Sequence, residues 1–323
     1  MSFDLNTLWF VLVGALYLFV RRDDERRVLL NAIGPVWDGN EVWLVTAGGA
    51  LFAAFPAVYA TVFSGFYLVF ILLLFALIFR AVAIEFRGKV DSAAWRRWWD
   101  ASFASGSVLA AFLIGLAMGN LAWGVPLDPE GEYVGTITGL LTPFPILAGL
   151  TTVALFLMHG AIFLVMKTEG ELHARIRSWV RPTIVGFVIF YNVTTMATLL
   201  YVPHLTALIR SRPEFFLVGL AGSLAIANIP REIHRGRDFR AFLSSSAAIA
   251  TLLLLFGLGM FPDLVYSWPH PEYSLTLHNA ASSPRTLRTM LVIAIIGVPL
   301  VLAYTAGIYW IFRGKVKLDP HSY

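Results

Sequence analysis

Asp38, Asn40 and Glu41 place two carboxylates and an amide close together in the stretch NAIGPVWDGNE, from Asn31 to Glu41. If this turn is helical, positions three apart share a face, so Asp38 and Glu41 can address the same space. A carboxylate at the mouth of a membrane span, with Asn40 able to hydrogen-bond it, can take protons from water and hand them inward along polar groups. Trp37 and Trp43 flank the group as interfacial anchors do. A second reading fits the same residues. An aspartate beside Gly39 and Asn40 suits a helix N-terminus, where it meets orphan amides and the positive end of the dipole. On the residues alone both readings stand.

Other titratable groups are sparse. Arg80 and Glu85 flank the end of the following apolar run. The simpler expectation is that Arg80 snorkels to the interface and pairs with a nearby acid. Turned inward, it would be the counter-charge that keeps Asp38 or Glu41 ionised. Seven histidines raise haem ligation, which needs two imidazoles facing each other across a bundle. Only His159 falls well inside an apolar run, so the pattern predicts no haem and no metal held by this chain. His159 is instead expected to hydrogen-bond a neighbouring helix or subunit. The chain has no cysteine, which excludes disulfides, thiolate metal sites and iron–sulfur clusters.

The elements that must position these groups are membrane helices. Of 323 residues, 58% are hydrophobic and 14% charged, and the mean hydropathy is +0.73. Charges gather in short clusters between long apolar runs, as a helical membrane protein requires. Apolar windows predict spans at 4–20, 41–60, 63–86, 101–121, 143–166, 182–203, 214–230, 241–261 and 289–312, about nine in a single integral-membrane domain. Merging the second and third gives eight. Segments 21–27, 87–97, 167–181 and 231–240 each hold 4 basic residues and 313–317 holds 3, whereas 122–142 holds none. By the positive-inside rule the N-terminus faces out and the C-terminus faces the cytoplasm. The basic residues flank apolar segments instead of forming one polar face, so the sequence pI near 9.4 implies no nucleic-acid partner. No cleavable signal peptide is expected, because the first apolar stretch lacks a basic leader and a small-residue cleavage site. Small residues in the second and fourth spans, Ala47 to Ala50 and Gly106, Gly115 and Gly119, predict close helix contacts.

WDGNEVWL, followed by TAGGALFAAFP and FSGFY, resembles the signature of subunit II of the cytochrome bd-type quinol oxidases. MGNLAWGVPL, PFPILAGL, KTEGELHARIR and SLTLHNAASSPRTL continue the resemblance in order, over most of the chain. The resemblance implies two four-helix bundles plus one peripheral helix, in the bacterial inner membrane. It also implies a haem-bearing subunit I as partner, small single-span accessory subunits as further candidates, and an electrogenic quinol oxidase that reduces oxygen. Haem b, with haem d as a further candidate, would sit in the partner, and a structural quinone or lipid could occupy a groove here. By residue-for-residue match, proton delivery falls on Asp38, and less firmly on Glu41. The chain departs from the family where Val20 meets Arg21 directly, without an acidic, glycine-rich stretch resembling DGFDLGVG. Roles of those absent carboxylates do not transfer. Two other classes fit the composition: a secondary transporter, which would need a buried charge at an unwound mid-span helix, and a purely structural assembly subunit, in which Asp38 is dispensable.

Overall fold

The computed structural model describes residues 14, 16, 17, 19, 20 and 22–318. Among them are eleven α-helices: α1 (Asp23–Ile33), α2 (Trp37–Ala54), α3 (Pro56–Gly65), α4 (Tyr67–Phe86), α5 (Ala93–Trp123), α6 (Pro143–Lys167), α7 (Gly170–Tyr201), α8 (His204–Ser211), α9 (Phe216–His234), α10 (Asp238–Met260) and α11 (Pro284–Ile311). By length and composition, α4, α5, α6, α7, α10, α11 and α9 with its leading turn are able to cross a membrane. Most of the expected first span, 4–20, lies outside the described residues.

The expected second span, 41–60, is not one helix. Pro56 lacks the N–H that would continue the ladder, and Phe55 adopts φ −141 and ψ 68 between α2 and α3. Irregular backbone at membrane depth is tolerated only where protein satisfies it. Here the Ala54 carbonyl accepts from the Ser282 amide at 2.8 Å. Pro56 then occupies the first turn of α3, where its missing donor costs nothing. Serine caps start two longer helices: Ser92 Oγ accepts from the Trp95 amide of α5, and Ser283 Oγ from the Thr286 amide of α11.

Helices α4 to α7 pack in sequence, each against the next; α9 and α10 pair, and α10 returns to α6. The central helix is α6, where Met158, His159, Ala161, Ile162, Leu164 and Val165 are all buried. Backbones come close at the expected small residues of α5. A Cβ at Gly106 would lie 2.6 Å from the Ala76 carbonyl of α4, so only glycine fits without displacing backbone. The glycines of α2 differ, since a Cβ at Gly49 would meet nothing within 4 Å. Helix α11 is peripheral, with no buried residue.

At one end the loops after α5 and α10 join into a cap. Strand β1 (Asp263–Val265) pairs antiparallel with β2 (Leu275–Thr276). Val125 N–H donates to Tyr266 O, and Trp268 N–H to Val125 O, both at 3.0 Å. The His204 ring stacks on Tyr266 at 3.8 Å, and its Nε2 lies 2.9 Å from the Ala122 carbonyl. At the other end the C-terminal segment closes α6: Val316 N–H donates to Lys167 O at 2.9 Å, and Lys315 Nζ to Val165 O at 3.1 Å.

Candidate functional site

Helix α1 stops before Pro35, and α2 begins at Trp37 with Val36 as its cap residue and no side-chain capping bond. Asp38 therefore does not cap α2. It stands exposed in the first turn, where the helix dipole favours a negative charge. Glu41 follows one turn inward, its side chain 17% exposed, and its carboxylate pairs with the Arg80 guanidinium from α4. Arg80 is fully buried, and its guanidinium carbon lies 5.9 Å from the Phe103 ring centre. The simpler expectation, a snorkelling Arg80 beside Glu85, is thus overturned. α4 turns Arg80 toward α2 and α5, whereas Glu85 is exposed. Asn40 is buried and donates from Nδ2 to Tyr309 Oη on α11 at 3.1 Å. Trp37 and Trp43 are half-buried, and Gly39 is exposed with open space around its Cα. The structure thus brings Asp38, Glu41, Asn40 and Arg80 to one end of α2. A surface carboxylate leads there to a shielded one held by a buried cation.

A second charged cluster, which the sequence reading missed, sits at the same end. Asp100, buried on α5, accepts from Tyr17 Oη at 2.7 Å, Arg87 Nε at 2.6 Å and Arg26 Nη1 at 2.5 Å. Arg87 also reaches Asp23, and Arg26 Nε donates to the Val20 carbonyl at 2.8 Å. Burial alone would make Arg87 easier to deprotonate, but its bonds to Asp100 and Asp23 outweigh this and raise its pKa above the usual arginine value. The available signal was a lone acid at the head of the apolar run 101–121, directly after WRRWW. Its partners were not legible, because they lie 13, 74 and 83 residues away.

His159 does bond a neighbouring helix: its Nδ1 lies 2.7 Å from Ser245 Oγ on α10, with Phe242 beside the ring. The other described histidines lie at helix ends or in loops, so no two imidazoles face each other at mid-membrane. Among the described residues no group of three or more His, Cys, Asp or Glu could hold a metal ion.

A family model described as cytochrome bd terminal oxidase subunit II matches residues 5–312. The chain is 36% identical to cytochrome bd-I ubiquinol oxidase subunit 2 of Escherichia coli over 338 aligned positions, covering 95% of this chain and 89% of that one. It is 34% identical to cytochrome bd ubiquinol oxidase subunit 2 of Bacillus subtilis, covering 99% of each. In fold it matches a chain of the bd oxidase from Geobacillus thermodenitrificans with a TM-score of 0.74, at 14% identity and covering 96% of each chain.

Proposed function

This chain belongs to the cytochrome bd terminal oxidase subunit II family, and on that premise we propose that it is the haem-free half of a quinol:oxygen oxidoreductase, feeding protons from the cytoplasm to a haem-bearing subunit I. The observation that carries the proposal is the sequence of groups on α2. Asp38 is exposed, Glu41 lies one turn further in on the same face, and buried Arg80 holds Glu41. Oxygen reduction consumes protons, and the bilayer lets them reach a buried centre only through polar groups and water. Asp38 collects a proton at the surface, helped by the open space around Gly39. Glu41 takes it inward, exchanging its ion pair with Arg80 for a proton and reforming the pair on release. Asn40 ties the start of α2 to α11 through Tyr309 and so fixes the geometry.

The N-terminus is assigned to the outer side and the C-terminus to the cytoplasm, because the basic segments share the end that carries Asp38 and Asp100. The partner covers α2, whose open glycine face, exposed Thr46 and exposed Asp38 would be costly against lipid. Haem b, and haem d as a further candidate, belong to the partner. A structural lipid or quinone, and small accessory subunits, would lie on the remaining apolar faces.

The test is Asp38→Asn in the purified complex. It leaves assembly and haem spectra unchanged but slows quinol oxidase turnover and proton uptake together. Unchanged turnover would reduce this chain to a structural assembly subunit. A transporter reading would require instead that the isolated chain move a solute in vesicles.

A further inference from the structure

We propose that the turn between α9 and α10 is a headgroup site for an anionic phospholipid, whose phosphate is held by Arg231, Arg235, Arg237 and Arg240 and whose acyl chains lie on the exposed apolar side chains beside them. The site rests on the bilayer setting of the chain and not on the Asp38 route. A tight reversal gathers the four arginines. Gly236 takes φ 70, a left-handed conformation that glycine enters without steric cost. Its amide donates to Ile233 O at 3.1 Å, and the Arg237 amide to Glu232 O at 2.9 Å. On either side of the turn the arginines stand about one turn apart: Arg235 N–H donates to Arg231 O at 3.1 Å, and Arg240 N–H to Arg237 O at 3.0 Å. The two sides are tied again further in. Arg231 Nη1 donates to Asn228 Oδ1 at 3.2 Å, Asn228 Nδ2 to Ser244 Oγ at 2.9 Å, and Ser244 Oγ to the Arg240 carbonyl at 3.0 Å. Arg231 and Arg240 therefore flank one seam between the helices.

Elsewhere in the chain, arginines are engaged directly by carboxylates: Arg80 by Glu41, Arg26 and Arg87 by Asp100, and Arg175 by Glu25. At this turn they are not. Glu232 is 4% exposed, and its two carboxylate oxygens lie 3.9 Å from Arg235 Nη1 and Arg237 Nη1 respectively. Those separations attract but are too long for hydrogen bonds. Glu232 thus draws two guanidinium groups together and leaves their N–H donors open. Arg240 is exposed, and its side chain has no carboxylate or hydrogen-bond partner among the described residues. Asp238, the other acid of the turn, is taken by Arg177 of α7 at 2.5 Å. Guanidinium groups gathered in this way repel one another, and a phosphate between them relieves the repulsion with charge-assisted, bidentate hydrogen bonds.

The charge pattern selects an anionic lipid over a zwitterionic one, because with Glu232 buried and Asp238 paired the turn offers no free carboxylate to a choline or ethanolamine. The apolar surroundings select a lipid over a free phosphate. Phe239, beside Arg240, is 64% exposed, and Leu243, three residues after Arg240 and on its face, is 50% exposed. Leu224, two turns before Arg231 on the same face of α9, is 61% exposed. Arginines at the end of two membrane helices, with bare apolar side chains directly inward, put the phosphate at headgroup depth and the acyl chains against the helices.

The experiment is photolabelling of the purified complex with its partner subunit, in phosphatidylcholine vesicles that carry a trace of phosphatidylglycerol or phosphatidylcholine with the same diazirine-bearing acyl chain. Labelled peptides are read by mass spectrometry, with the exposed apolar stretch of α11 as the internal reference. Relative to α11, phosphatidylglycerol is expected to label α9 and α10 about fivefold more than phosphatidylcholine does. The Arg231→Gln and Arg240→Gln double variant should bring that ratio to about one while leaving α11 labelling unchanged. If the double variant fails to assemble, Arg240→Gln alone, at a side chain without a partner among the described residues, should still lower the ratio. Equal labelling by the two lipids in the native complex, or a ratio that survives the substitutions, overturns the site. A ratio abolished by excess inorganic phosphate, but not by sodium chloride at the same ionic strength, would mark a free-anion site and overturn the lipid assignment. Asp38→Asn should leave the ratio unchanged, so failure here and failure of the proton route are read separately.

Discussion

The energetics of this chain at residue scale turn on a few buried charges. Asp100 receives three hydrogen bonds, two of them from guanidinium groups, and it is 3% exposed. Removing one member of such a group leaves uncompensated charge in a poorly solvated place, which costs about 3–5 kcal/mol. Asp100→Asn is therefore expected to lower the melting temperature of the detergent-solubilised complex by several degrees. Asp91→Asn should leave it within about 1 kcal/mol of native stability, because the Asp91–Arg96 pair has an acid side chain 98% exposed to solvent. Equal effects of the two variants would deny Asp100 its role in joining α1, α4 and α5. Arg80 makes a different prediction, since its partner lies on the proposed proton route. Arg80→Leu strips Glu41 of its counter-charge and should change the pH profile of turnover as well as its height, whereas Asp38→Asn lowers turnover throughout. A pH profile untouched by Arg80→Leu would remove Arg80 from the route.

Among the elements, backbone breaks and close approaches decide what packs. The gap between α2 and α3 persists because the Ser282 amide satisfies the Ala54 carbonyl. Ser282→Pro deletes that donor, and a half-buried carbonyl left without a partner costs about 1 kcal/mol, the low end of the range for a buried one. Thermal unfolding should report the loss; an unchanged midpoint would mean that water replaces the amide. The cap above it is pH-sensitive through His204. Burial holds this imidazole below its ordinary 6.5, partly offset by its bond to the Ala122 carbonyl. The folded form thus prefers the neutral ring, while the unfolded chain binds the proton first. The contribution is present above 6.5 and is lost as pH falls through 6.5 toward the lowered folded value. Between about pH 7 and about pH 5 the native complex should lose stability, and His204→Phe, which keeps the stack on Tyr266, should flatten that dependence. An unaltered slope would place the titration elsewhere. Most of these elements were legible from hydropathy alone, because a bilayer demands about twenty apolar residues per crossing and the composition displays them. The break at Pro56 was not, since apolar windows register side chains and not the missing backbone donor. Nor was the direction of Arg80, which depends on Glu41, 39 residues away.

The whole molecule is unevenly covered. α6 is enclosed by α5, α7 and α10, whereas α2 buries only Asn40 and α11 buries nothing. An apolar helix such as α11 is at home against lipid tails. α2 is not, because it carries exposed Asp38, exposed Thr46 and two successive glycines, and polar groups facing hydrocarbon are expensive. Small residues on a membrane helix serve close approach by another helix, and among the described residues nothing comes within 4 Å of the Cβ position of Gly49. On the proposed function, Asp38 and Gly49 call for the same partner: a surface that meets α2 closely and receives the protons proposed to pass along its carboxylates. Gly49→Trp fills that approach from an exposed position whose Cβ site meets no described residue within 4 Å. Membrane insertion and the amount of this chain should be unchanged, while co-purification of the haem-bearing subunit and the haem absorbance it brings are lost. Normal recovery of the partner would move the interface off α2, and the outward end of the proposed proton route would have to be sought on another face.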